Sequence, residues 1–132
     1  MTVLLVDTAN VVGARPDGWW RDRAGATSRL LDQLAALPGR TVPGPDGDPG
    51  PVTGLVAVVE GRAREVPVPD GIQLVRAPGS GDDAIAATAA TLAEGDDDLL
   101  VVTADRGLRD RLPAAARTAG PGWLLDRLGT LS

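Results

Sequence analysis

Hydrophobic residues in this chain fall into short continuous runs, separated by stretches rich in polar and turn-forming residues. Residues 3–6 (VLLV), 53–59 (TGLVAVV), 72–75 (IQLV) and 99–103 (LLVVT) are the main runs. Runs of this length suit strands buried on both faces. Residues 117–119 add a brief further strand. Between the runs the spacing becomes helical. From Trp19 to Leu37 the apolar positions are Trp20, Ala24, Thr27, Leu30, Leu31, Leu34 and Leu37, with Trp20 placed in the core. Arg15-Pro16-Asp17-Gly18, just before, is a turn cluster in which Asp17 is placed to cap that helix. A second helix runs from Asp82 to about Ala93 and a short one from Arg106 to Leu112. A last helix opens on Pro121, which suits a first helical turn, and continues through Leu128. Buried strands alternating with helices predict a three-layer α/β/α domain with a mostly parallel sheet of about five strands. Residues 38–51, dominated by Gly, Pro and Asp, read as a flexible surface loop. Neither flank of that loop could fold alone, so residues 1–132 are taken as one domain.

Composition narrows the chemistry. The chain has no cysteine and no histidine. That excludes disulfides, zinc sites built on Cys or His, and Ser-His-Asp or Cys-His machinery. Catalysis would have to run on carboxylates, hydroxyls, arginines or a metal held by oxygen. All 13 basic residues are arginine, and the net charge is −5. This balance argues against broad nonspecific nucleic-acid binding but leaves room for a local basic rim. No apolar run approaches the ~20 residues that span a membrane. The first residues lack the basic n-region of a signal peptide, so a cytoplasmic location is expected.

The polar residues that follow the strands are acidic. Open α/β sheets build their sites at the carboxyl ends of strands. Asp7 and Asn10 follow the first strand, Glu60 the second, Asp82 and Asp83 the third and its Pro-Gly-Ser-Gly loop, and Asp105 the fourth. Singly, Asp82, Asp83 and Asp105 have an ordinary explanation, because each stands where a helix begins and can cap it. Asp7 is harder to explain in this way, since it closes a buried strand where an unpartnered carboxylate is costly. Together the acids repel one another unless a cation sits between them. With no Lys or His nearby, a hard divalent ion held by oxygens, Mg²⁺ or Mn²⁺, is the natural partner. Such a site suits in-line hydrolysis of a phosphate ester without a protein nucleophile.

Three segments carry a resemblance. Residues 3–13 (VLLVDTANVVG), 79–85 (GSGDDAI) and 101–108 (VVTADRGL) resemble, in order and spacing, motifs of the NYN domains of the PIN-like ribonuclease superfamily. The resemblance implies a sheet ordered 3-2-1-4-5 and a metal-dependent endoribonuclease. It also implies Asp7, Asp82 and Asp105 as principal metal ligands, Asn10 orienting Asp7 or a water, and Asp83 and Glu60 as auxiliary acids. Asp110 is a weaker candidate. Arg15, Arg62 and Arg106 lie just beyond strand ends, where they could contact phosphate. Thr103 is placed to touch Asp105, substrate or a metal water, and Trp19 or Trp20 to stack on a base. RNA is the expected partner, with a free nucleotide as the alternative substrate and self-association left open. A nucleotide phosphohydrolase and a non-catalytic RNA-binding or regulatory module of the same fold are the rival readings.

Overall fold

The structure, a computed structural model, describes residues 2–130; Met1, Leu131 and Ser132 lie outside the described residues. Strand β1 (Thr2–Asp7) is followed by the short helix α1 (Thr8–Gly13), a 3-10 turn (Trp19–Arg21) and helix α2 (Arg23–Leu34). Next come β2 (Thr41–Pro43), β3 (Pro49–Val59), a 3-10 turn (Gly61–Glu65), β4 (Gln73–Arg76) and α3 (Gly81–Leu92). The chain closes with β5 (Asp98–Val102), α4 (Arg106–Arg109), β6 (Arg117–Ala119) and α5 (Pro121–Gly129). No helix among the described residues is long and apolar enough to cross a membrane.

The central strand is β1, paired in parallel with β3 on one side and β5 on the other. β4 continues the parallel sheet beyond β3, and β6 beyond β5. The parallel strands therefore run β4-β3-β1-β5-β6, the expected 3-2-1-4-5 order. All five carboxyl ends meet at one edge. Along β1 the side chains alternate between two cores, as a pleated strand requires. Leu4 and Val6 pack with Leu30, Leu31 and Leu34 of α2 and Leu124 of α5. Leu5 packs on the opposite face with Ile85 and Ala89 of α3 and with Val101. By the same alternation Asp7 falls on the α3 face.

Three expectations need correction. The 38–51 segment is not a plain loop: β2 pairs antiparallel with the start of β3, with Thr41 opposite Pro51 and Pro43 opposite Pro49. A short edge ladder tolerates prolines that an interior strand would not. Val42 enters the core, and α5 holds the hairpin through a bond from Trp123 Nε1 to the Pro43 carbonyl at 3.2 Å. Secondly, the long helix begins at Arg23, and its cap is Asp22, not Asp17: Asp22 Oδ1 accepts from the Gly25 N–H at 2.9 Å. A Cβ at Gly25 would lie 2.3 Å from Asp22 Oδ2, so a larger residue there makes the capping carboxylate shift. Thirdly, Trp20, expected in the core, is 59% exposed, and Trp19 is the residue packed against the core. The 3-10 turn resets the helical phase and exchanges the two rings.

Candidate active site

Asp7 ends β1, so its carboxylate stands where a buried strand reaches the sheet edge. It is only 7% exposed. Burial disfavours the charged form and raises its pKa from 3.8 to about 6. The Thr103 hydroxyl and the backbone of Asn10 oppose this shift, while the negative charges of Asp82 and Glu60 add to it. Thr103 is itself fully buried. Its Oγ1 donates to Asp7 Oδ2 at 2.9 Å and accepts from the Asp105 N–H at 3.1 Å. One hydroxyl therefore sets the relative position of two strand ends. Burial makes Thr103 a positioning residue and removes it as a direct substrate contact.

The other acids arrive by different routes. Asp82 lies in the first turn of α3, but Ser80 is the cap: its Oγ accepts from the Asp82 N–H at 3.2 Å. The Asp82 carboxylate makes no hydrogen bond or ion pair among the described residues. Its pKa is raised by partial burial and then by Asp105 and Glu60, with Arg111 opposing and Asp83 adding slightly. Asp105 caps α4, its Oδ1 accepting from the Leu108 N–H at 3.1 Å. Glu60, just after β3, accepts the Gly81 N–H on Oε2 at 2.5 Å, which ties it to the start of α3. A Cβ at Gly81 would sit 2.7 Å from that oxygen, so a larger residue there pushes the Glu60 carboxylate aside.

Asn10 touches Asp7 through its backbone N–H, and its side chain does a second job. Its Oδ1 accepts from the Ala104 N–H at 2.8 Å, clipping α1 to the loop after β5. Asp83 points to solvent and pairs with Arg111 at 2.8 Å. Asp110 is exposed at the end of α4. Arg15 bonds Gln33 Oε1 at 2.6 Å. Arg62 and Arg106 are exposed near their strand ends and make no ion pair among the described residues. Sequence reading missed Arg109, whose Nε and Nη2 hold the Thr103 carbonyl at 3.2 and 2.7 Å. An arginine in a short helix carries no sequence mark of that contact.

Asp7, Asp82, Asp105 and Glu60 thus share the carboxyl edge, and their charges act on one another. Among the described residues no three acids are gathered closely enough to enclose a metal ion. The donor set still suits a hard divalent cation: oxygen ligands only, with two carboxyl groups raised by burial and by the neighbouring acids. The nearby guanidinium of Arg111 is engaged by Asp83.

Beside this edge, on the α2 side of the sheet, lies a cleft of about 410 Å³. Val12, Val59 and Ala63 give it apolar walls, Trp19 and Arg23 flank it, and Glu60 joins it to the acid cluster. Thr8 and Thr27 also line it; the sequence pattern placed Thr27 on the core face of α2 without distinguishing it from its apolar neighbours.

A five-stranded parallel 3-2-1-4-5 sheet with this helix order has solved counterparts. Rae1 (YacP) from Bacillus subtilis matches with a TM-score of 0.74, covering 99% of this chain and 75% of that chain at 17% identity. Its W164L mutant matches with a TM-score of 0.71, covering 99% and 77% at 19% identity. The chain shares the Rae1 fold. Because the match covers 99% of this chain, every acid-bearing strand end lies within the architecture shared with Rae1. No family model and no curated protein matches the chain.

Proposed function

We propose that this protein is a metal-dependent nuclease that cuts RNA internally at its acidic carboxyl edge. The observation that carries the reading is Asp7: a buried carboxylate, raised to about 6, held by Thr103 and facing the charges of Asp82 and Glu60. A fold has little reason to keep such a group at a strand end for stability, because burial without an opposite charge is costly. The NYN-like motifs and the Rae1-like fold support the same reading. Asp7, Asp82 and Asp105 would hold Mg²⁺ or Mn²⁺, with Glu60 as an auxiliary acid and Asp83 placed more peripherally by its pairing with Arg111. The chemistry supplied on metal binding is polarisation of the phosphoryl oxygen and a lower pKa for the attacking water.

The protein's own residues supply position and charge. Thr103 fixes Asp7 against Asp105, Arg109 fixes Thr103, and Asn10 fixes the loop between them. Arg106, exposed and next to Asp105 in the chain, would supply charge to a phosphate. The adjoining cleft has room for a mononucleotide, which supports hydrolysis of free nucleotides as a second reading. The test is incubation of purified protein with end-labelled RNA and with nucleoside triphosphates, in Mn²⁺ or EDTA. Internal RNA cuts that need Mn²⁺ and vanish in Asp82→Asn are expected. Phosphate or pyrophosphate release with intact RNA would replace the first reading by the second, and RNA binding without cleavage would leave a binding module.

A further inference from the structure

We propose that the cleft beside the acid edge is a nucleobase pocket and that the groove next to it takes the adjoining nucleotide, so that the protein reads an unpaired RNA strand. The nuclease reading supplies the identity of the strand; the binding surface stands on its own features. Thr27 is 3% exposed and lines the cleft, yet its hydroxyl has no partner among the described residues. Thr8, 1% exposed, reaches only the Val6 carbonyl, at 3.5 Å, the limit of a hydrogen bond. Two under-used hydroxyls among apolar walls match a base, which has apolar faces and polar edges. Trp19 closes one side, with the Arg23 guanidinium 5.1 Å from its ring centroid.

The groove has the complementary chemistry. It is lined by Trp20, Arg21, Arg23 and Arg62, along with Asp22, whose carboxylate caps α2. In a chain of net charge −5, these arginines make no ion pair among the described residues. Trp20 is the most exposed of the large hydrophobic side chains among the described residues and meets Trp19 edge-on at 6.0 Å. An exposed indole among unpaired arginines offers stacking to a base and charge to a phosphate, the combination that binds single strands. Arg23 and Gly61 border both cavities, and Glu60 borders the cleft and the acid cluster. A strand laid along groove and cleft therefore leads to the acid edge. A duplex cannot supply the unstacked base that the cleft requires.

The experiment measures binding separately from cleavage. Fluorescence anisotropy follows a labelled unpaired decaribonucleotide, its duplex form and a labelled mononucleotide on Asp82→Asn protein in EDTA, where no turnover occurs. Tighter binding of the single strand than of the duplex is expected. Trp20→Ala, an exposed change, should weaken strand binding roughly tenfold. Thr27→Val, close in shape, should alter preference among homopolymers while leaving the unfolding midpoint in place. Equal binding of strand and duplex, no strand binding, mononucleotide binding alone, or unchanged binding by both variants overturns the proposal. Strand binding without Mn²⁺-dependent cutting by the unmodified protein would remove the nuclease reading and leave this inference standing. Cutting with unchanged KM in both variants would do the reverse.

Discussion

Replacing Asp7 by Asn should make the metal-free protein more stable at neutral pH, and the gain should vanish in acid. The folded-state pKa of Asp7 is raised from 3.8 to about 6 by burial, with Asp82 and Glu60 as the negative groups facing it and the Thr103 hydroxyl opposing. A raised pKa means that folding favours the protonated form. The stability contributed is complete below about pH 4 and is lost as pH climbs through about 6. The rise from 3.8 to about 6 is equivalent to about 3 kcal/mol. Asn is neutral throughout and can still accept from Thr103 Oγ1, so the difference between variant and parent isolates the charge. In a domain of this size about 3 kcal/mol moves the midpoint by roughly 10 °C. Relaxation of Asp82 and Glu60 once Asp7 is neutral trims that figure. The assay is thermal unfolding of parent and Asp7→Asn by circular dichroism in EDTA, from pH 4 to pH 7.5. A stability difference that is the same at both ends of that range would refute the reasoning, because steric or hydrogen-bond effects do not titrate there.

Further outcomes follow from neighbouring contacts. Thr103→Val leaves a buried carboxylate without its donor and should cost about 1–3 kcal/mol in urea unfolding, with Thr103→Ser recovering most of it; a valine variant as stable as the parent would rule this out. Gly81→Ala forces a Cβ to within 2.7 Å of Glu60 Oε2 and should destabilise by about 1–3 kcal/mol, a loss that Glu60→Ala in the same chain should reduce. Asp82 is not a helix cap, so Asp82→Asn should leave the metal-free midpoint equal or higher. Mn²⁺ at about 100 times its dissociation constant should add roughly 2.7 kcal/mol to the parent and little to that variant. A parent midpoint indifferent to Mn²⁺ would leave the edge acids without a metal role.

Periodicity and strand-end logic carried a great deal from the sequence alone. The continuous runs at 3–6, 53–59 and 99–103 suited strands buried on both faces, and helices between them favoured parallel pairing. Parallel strands share one carboxyl edge, so the placement of Asp7, Glu60, Asp82 and Asp105 on that edge was legible before any coordinates. That Asp105 caps a helix was legible too, because the contact is local. The tertiary structure decided what the others do there: Glu60 holds the start of α3, Asp83 faces Arg111 in solvent, and Asn10 reaches Ala104 across 94 residues of chain. Contacts between residues so distant in sequence depend on strand register and helix phase, which a local pattern does not encode. The same holds for the two tryptophans: a three-residue 3-10 turn set Trp19, not Trp20, against the core. It holds for residues 41–51 too, where edge position and the packing of α5 made a hairpin from residues whose own propensities oppose a strand.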